Sequence, residues 1–173
     1  MLNDREEKKN QILEKSFDLF VKQGLENTSL NDLALYCNTY KAAFYAHFKS
    51  KDEVVIESAK MYMLGFNNKI SKLLSNPAYN LIQLLEECLS LITMEKNKIR
   101  YTYQIISSPK LGEVSRKSFS PIYTEILDFS YLISKKYRVD YDKFRPYYLM
   151  LIATICDYCL WDDEITFREK CCF

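Results

Sequence analysis

The stretch from Thr28 to Lys51, TSLNDLALYCNTYKAAFYAHFKSK, holds the side chains whose types and spacing point to a chemistry. Its second half carries a phenol, an imidazole and an ammonium group at Tyr45, His47 and Lys51. Between Leu33 and Lys51 there are three lysines and no acidic residue, a local charge of +3. Such groups donate hydrogen bonds to phosphate oxygens. His47 is the only histidine, and no nucleophile pattern accompanies it, so anion binding is favoured over catalysis.

Two short helices joined by a tight turn would position these groups. Ser29 and Asp32 have the spacing of a capping box at the start of the first of them. Asn38 falls where the chain must turn, and Asn adopts a left-handed backbone more readily than most residues. Phe44 and Phe48, four residues apart, would point back to a core. The pattern predicts a helix-turn-helix, which lays one helix in the major groove of DNA. An ordinary helical hairpin is the alternative on this pattern alone.

The net charge of the N-terminal segment does not by itself indicate DNA binding. Residues 1–51 contain 8 basic and 7 acidic residues, a net charge of +1. A DNA contact would therefore depend on a small basic patch rather than on a strongly basic domain. Three lysines within such a short segment, at Lys41, Lys49 and Lys51, are also typical of an ordinary solvated surface.

The order and spacing of residues 5–55 resemble the N-terminal domain of the TetR/AcrR family of bacterial transcriptional regulators. The most specific part is the string Tyr-x-His-Phe-x-x-Lys from Tyr45 to Lys51. The other matching positions are Ile12, Leu13, Leu19, Phe20, Gly24, Thr28, Ser29, Asp32, Leu33, Ala34, Phe44, Asp52 and Glu53. The resemblance implies an all-α fold with a three-helix N-terminal DNA-binding domain and a helical C-terminal domain for ligand binding and dimerisation.

Three positions depart from the family pattern at the turn. Asn38 replaces the frequent Gly, Thr39 replaces an apolar Val or Ile, and Tyr40 replaces a capping Ser or Thr. A tyrosine side chain cannot fold back to cap a helix start. These three departures do not change the predicted fold. They leave the preferred DNA sequence undetermined, because this turn is expected to reach the bases.

By position, the resemblance implies a role for each residue of the motif. Thr28 or Ser29 would offer a hydroxyl or a helix-start amide to a phosphate, and Tyr45, His47 and Lys51 would contact phosphates too. The residues expected to face the bases are Thr39, Tyr40, Lys41, Ala42 and Ala43. Tyr45 as part of the core and Lys41 as a merely exposed lysine are the structural alternatives.

The rest of the chain reads as helical. The whole chain of 173 residues is 48% hydrophobic and contains only 3 Gly and 4 Pro, which favours long helices over strands. We expect a helix-turn-helix domain over 1–50 and a regulatory and dimerisation domain over 51–173. About nine helices are expected, near 5–23, 30–36, 40–47, 51–75, 78–94, 97–107, 121–137, 141–161 and 163–171. Ser120-Pro121 is interpreted as a helix start.

Aromatic residues are concentrated beyond residue 100. They suit a cavity for a small-molecule effector, which the family commonly holds in this domain. The candidate lining residues are Tyr103, Tyr123, Tyr131 and Tyr158. Core and dimer packing is the alternative for each of them.

The segment from Leu149 to Leu160 has little polar face, so its helix should be buried on more than one side. The family resemblance implies that the last two helices pair with those of a second copy. A homodimer would present two recognition helices about one DNA turn apart and select a palindromic operator.

The cysteines carry one further hypothesis. Six are present, at Cys37, Cys88, Cys156, Cys159, Cys171 and Cys172. Cys156-x-x-Cys159 resembles a metal or redox pair, but a zinc site needs four ligands. Small apolar packing is the favoured interpretation, no metal or cofactor is expected, and a redox-responsive regulator is an alternative.

The start of the chain is charged and does not read as a signal peptide, and no apolar run reaches the roughly 20 residues of a membrane span. We therefore expect a cytoplasmic regulator and not an enzyme, since no catalytic triad, phosphate-binding glycine loop or metal triad is visible. The favoured function is a homodimeric repressor released by a small molecule. A module of the same fold that binds a protein partner is the competing one.

Overall fold

The structure is a computed structural model that describes residues 2–161. Within that range every regular element is an α-helix, which confirms the predicted all-α class. The helices are α1 (Leu2–Gln23), α2 (Leu30–Tyr36), α3 (Lys41–Tyr45), α4 (Lys51–Ser75), α5 (Leu81–Ser107), α6 (Gly112–Tyr137) and α7 (Tyr141–Trp161).

The helix count differs from the predicted nine. The two helices predicted over 78–94 and 97–107 are one helix, α5, because its 27 residues contain neither Gly nor Pro to interrupt the hydrogen-bond ladder. The predicted start at Ser120-Pro121 is wrong. Pro121 lies inside α6, which begins at Gly112. The helix predicted over 163–171 lies outside the described residues.

One compact unit contains the residues up to Gly65 together with Gln104–Phe119. Its core combines one face of α1, including Phe20, with Leu33 of α2, Phe44 of α3 and Val54 of α4, all at most 1% exposed. Phe17 stacks on Tyr62 with ring centroids 4.7 Å apart. Gly24, with φ +85°, ends α1, because this left-handed backbone suits glycine.

A second compact unit contains Phe66–Tyr103 and the residues from Ser120 on. Its core cluster joins all four of its helical segments through Leu74, Leu84, Phe129, Ile133 and Tyr148. The Tyr148 hydroxyl donates to the Ile126 carbonyl at 2.6 Å, so this buried phenol keeps a polar partner. The two compact units divide within α4, between Gly65 and Phe66. The domain boundary predicted at residue 50 stays a prediction.

No helix in the described range is long and apolar enough to cross a bilayer.

Leu84 gives a direct test of the second core. It is fully buried in α5, whereas Ile82 on the same helix is 67% exposed. We expect Leu84→Ala to lower the free energy of unfolding by about 2–5 kcal/mol, through reduced burial and a residual cavity. The matched control Ile82→Ala should change it by less than about 0.5 kcal/mol. Urea denaturation with comparison of midpoints and slopes is the measurement, and equal effects of the two variants would contradict this core.

Candidate nucleic-acid interface

A capping box fixes the start of α2. The Asp32 amide donates to the Ser29 hydroxyl oxygen at 3.2 Å, and the Ser29 amide donates to the Asp32 carboxylate at 2.7 Å. Hydrogen bonding of the Asp32 carboxylate to the Ser29 side chain and then to the Ser29 backbone lowers the pKa of Asp32, because it stabilises the charged form. The predicted capping box is confirmed, and Ser29 stays exposed at the helix start.

The turn between α2 and α3 depends on Asn38. Its φ is +51°, so Asn38 occupies the left-handed region that the sequence predicted for this position. The turn closes through backbone bonds from Asn38 to Leu35 at 3.0 Å and from Thr39 to Ala34 at 2.9 Å. Together they fix the direction in which α3 leaves the end of α2.

α3 is a five-residue helix held by aromatic burial. Phe44 is 1% exposed and Phe48 is 3% exposed, with ring centroids 6.1 Å apart, which confirms the prediction that both face the core. Tyr40 occupies the N-cap position without a side-chain capping bond, as its chemistry requires. An isolated helix this short has no stability of its own in water. The two phenylalanines therefore hold it against the unit.

The opposite side of α3 faces solvent. Tyr40 is 85% exposed and Tyr45 is 54% exposed, and both Lys41 and Ala42 are exposed. We call these four residues the α3 face. Tyr45 therefore does not belong to the core, which was the alternative weighed for it. Thr39, beside this face, is half-buried.

Thr28 lies in a different environment from Ser29. It is 1% exposed, its hydroxyl donates to the Gly24 carbonyl at 2.7 Å, and it accepts a bond from the Gln23 side chain at 3.1 Å. Its oxygen thus closes the turn after α1. Ser29 is the exposed hydroxyl of the pair and the one placed to meet a phosphate.

Lys51 already has a protein partner. Its ammonium donates to the Leu25 carbonyl at 2.6 Å, which ties the start of α4 to the turn after α1. The Glu53 amide donates to the Ser50 hydroxyl oxygen, as expected for a cap. The Glu53 carboxylate accepts from the Lys49 amide rather than from the Ser50 amide, so this cap is not a complete capping box.

The structure shows a basic cluster on α1 that the sequence did not predict. The Arg5 guanidinium donates to the Ala46 carbonyl at 3.1 Å, and the Lys9 ammonium lies 5.7 Å from the Phe48 ring centroid. Partial burial, followed by the charges of Arg5, Lys8 and Lys9, lowers the pKa of His47. These three cations and His47 form what we call the α1 basic cluster. It lies at the end of α3.

The sequence signal for this cluster was the helical spacing of Arg5, Lys8 and Lys9. Summing the charge over residues 1–51 concealed it, because acidic residues occur among the basic ones along α1. Glu6, Glu7 and Glu14 line a separate surface depression. A count of the charges on each face of the predicted helix, in place of a sum over the whole segment, would have predicted the cluster.

The four candidate effector residues lie in different environments, and their role as a ligand site stays a prediction. Tyr158 is buried beneath the Lys96 ammonium, and the Tyr103 hydroxyl accepts a bond from the Cys156 thiol at 2.7 Å. Tyr123 is 54% exposed, and Tyr131 lines an open cleft of about 670 Å³.

The described cysteines are free thiols, and burial raises the pKa of Cys37, Cys88, Cys156 and Cys159. The pKa reaches about 11 for Cys88 and for Cys159. A raised pKa keeps a thiol protonated and slow to oxidise. Among residues 2–161 no group of three or more His, Cys, Asp or Glu side chains is placed to hold a metal ion.

The helix-turn-helix residues match a known family. The family described as "Bacterial regulatory proteins, tetR family" matches residues 12–57. The HTH-type transcriptional regulator YerO of Bacillus subtilis is 36% identical over 67 residues, which span 39% of this chain and 23% of YerO. The negative transcriptional regulator IcaR of the biofilm operon icaADBC in Staphylococcus aureus is 29% identical over 136 residues, 78% of this chain and 70% of IcaR.

Solved structures share the fold over most of the chain. The regulator FadR of Bacillus subtilis, in complex with stearoyl-CoA, has a TM-score of 0.66 at 15% identity and covers 91% of this chain and 90% of its own. A transcriptional regulator of Aquifex aeolicus has a TM-score of 0.64 at 24% identity, with coverage of 94% and 92%. The match to the TetR family therefore falls on the helix-turn-helix at residues 12–57, and the likeness of the remaining helices to solved transcriptional regulators is one of fold.

Proposed function

We propose that the protein is a homodimeric transcriptional repressor whose α3 face reads a palindromic operator and whose C-terminal helices respond to a small molecule. The observation that best supports DNA binding is the exposure of the α3 face. Phe44 and Phe48 hold α3 rigidly from one side, while Tyr40, Lys41, Ala42 and Tyr45 are exposed on the other. Exposed aromatic and basic groups on a small anchored helix suit base edges and phosphates.

Phosphate contacts would surround this face. Ser29 and Tyr45 offer hydroxyls, and the α1 basic cluster, which includes His47, offers positive charge at the end of α3. Lys51 would act mainly by holding the start of α4, because its ammonium already donates to the Leu25 carbonyl, although it retains two further N–H groups for a phosphate. Lys51 is therefore a poor choice for a mutation meant to test DNA binding alone.

The proposed dimer would use α7 and the segment that follows it. Tyr147 is 67% exposed, Met150 is 60% exposed and Leu160 is 38% exposed, so α7 presents large apolar side chains to solvent in the single chain. Burying such side chains against a second copy would be favourable. A two-fold axis would then place two α3 faces on successive turns of a palindrome.

Repression and release by a ligand are supported by the relatives. IcaR is named as a negative regulator, and FadR has been solved with stearoyl-CoA bound. Occlusion of an operator, relieved when a ligand stabilises a dimer with the wrong spacing, fits this pattern. A protein-binding module remains the second candidate function. The raised pKa values of Cys37, Cys88, Cys156 and Cys159 disfavour a redox role for these four thiols.

Selection of binding sites from random duplex DNA tests the proposal. We expect the protein to enrich a palindrome. Lys41→Gln should relax the preference at one position in each half-site, because a lysine–guanine contact contributes about 1–3 kcal/mol of discrimination. The variant should keep the same half-site spacing. Failure to enrich any motif would favour the protein-binding module.

The α1 basic cluster predicts a contribution to salt-dependent binding. Lys8→Gln/Lys9→Gln should weaken operator binding and lower the slope of log affinity against log salt by about 0.9 for each phosphate that the variant no longer neutralises. Lys72→Gln/Lys143→Gln removes the same charge from exposed positions in the second unit and is the matched control. Fluorescence anisotropy at several salt concentrations measures both. Identical slopes for the two double variants would exclude the cluster from the interface.

His47 predicts a pH dependence. Its pKa is lowered in the free protein, and a neighbouring phosphate would raise it in the complex. The complex would therefore bind more protons than the free protein, and affinity should increase as the pH falls from about 8 to about 6. His47→Gln should lose most of this pH dependence while still binding at pH 8. If both proteins respond equally to pH in the anisotropy assay, His47 does not contact a phosphate.

A further inference from the structure

An open cleft in the second unit has a lining unlike that of the DNA-binding surface. Its volume is about 670 Å³. Its walls include Ser71 of α4, Tyr141 at the start of α7, and Glu125, Asp128, Tyr131 and Leu132 of α6. We call it the α6 cleft. Its size is in the range of cavities that hold small organic ligands.

The lining is negatively charged. Glu125 and Asp128 contribute two carboxylates, and none of the lining residues is a lysine or an arginine. The ion pairs of Asp52, Glu95 and Glu113 involve carboxylates outside the cleft. The ammonium of Lys135 lies over the Tyr131 ring. The cleft therefore favours a cation and disfavours an anion.

A buried amide stands behind one of these carboxylates. Asn67 is 1% exposed, and its Nδ2 donates to the Ile122 carbonyl at 3.2 Å and to the Glu125 carboxylate at 3.0 Å. These two bonds fix both the amide and the Glu125 side chain. The Asn67 Oδ1 atom has no hydrogen-bond partner among residues 2–161. A buried acceptor without a donor is unfavourable, but Asn67 does not line the cleft, so its contribution here is to hold the Glu125 carboxylate in place.

The remaining walls are apolar or aromatic. The rings of Tyr131 and Tyr141 meet edge to face, with centroids 5.7 Å apart and planes at 79°. Leu132 is 51% exposed. The Lys135 ammonium, 5.3 Å from the Tyr131 centroid, shows that this ring already accepts a cation. Such walls suit the apolar body of a ligand whose charged end meets the carboxylates.

We propose that the α6 cleft binds an organic cation that carries N–H donors and an apolar or aromatic body. Its ammonium or amidinium group donates N–H hydrogen bonds to the Glu125 and Asp128 carboxylates, and its body packs on Tyr131, Tyr141 and Leu132. The role of this cation as the effector rests on the proposed function, whereas its binding to the cleft does not.

Calorimetric titration of the DNA-free protein tests the binding. The probes are 4-phenylbutylamine, 4-phenylbutyrate and 4-phenylbutanol, which share one body and differ in charge, together with benzamidine and a phenylalkyl trimethylammonium salt. We expect saturable binding of the amine and of benzamidine, weaker binding of the quaternary salt, which lacks N–H donors, and none of the carboxylate. Glu125→Gln/Asp128→Asn should weaken amine binding at least about tenfold, the effect of removing one to two charge-assisted hydrogen bonds.

The control variant is Glu86→Gln, which removes an exposed carboxylate of α5 that does not line the cleft. It should bind the amine like the unaltered protein. Equal binding of the three phenylbutyl probes, an unchanged affinity in the double variant, or no saturable binding of any cation to a protein that still unfolds cooperatively would overturn the proposal. Operator affinity measured separately with each probe then shows whether the cation acts as effector. A negative result there leaves the measured binding intact and rejects only the regulatory role.

Discussion

Burial of Phe44 and Phe48 is the constraint on which the DNA-binding surface depends. A five-residue helix does not persist alone, so α3 exists because these rings are packed into the first unit. The left-handed turn at Asn38 directs α3 so that both rings reach that core. Once they are fixed, helical geometry leaves Tyr40, Lys41 and Tyr45 on the open side. The exposed α3 face thus follows from what the helix buries.

Electrostatics adds to this surface through position rather than total charge. The chain is almost neutral, with a formal net charge of +1. Arg5, Lys8 and Lys9 nevertheless gather beside His47, while acidic residues of α1 line a separate depression. Segregation by helix face creates a local positive field without a basic domain. The pKa of His47 is lowered first by partial burial and then by that field, because a proton on its ring would add one more positive charge to the cluster.

The second unit shows the reverse arrangement. Its core joins α4, α5, α6 and α7 through aromatic and aliphatic side chains, and the hydroxyls of Tyr137 and Tyr148 donate to backbone carbonyls. The α6 cleft next to that core carries two carboxylates, one of which, that of Glu125, accepts a bond from the buried Asn67 amide. The two units therefore present opposite charges to their proposed ligands. A positive α1–α3 surface suits phosphates, and a negative cleft suits a cation.

The sequence by itself determined the features that neighbouring residues create. The all-α class, the Ser29–Asp32 capping box, the turn at Asn38 and the inward face of α3 were predictable, because each depends on residues within one or two helical turns. Family resemblance supplied the functional roles, which local physics could not. The tertiary structure alone decided the contacts between distant residues, because no periodicity encodes which remote groups meet. These contacts are the bond from Lys51 to Leu25, the approach of Arg5 to Ala46, the pairing of Cys156 with Tyr103, and the bond between Asn67 and Glu125.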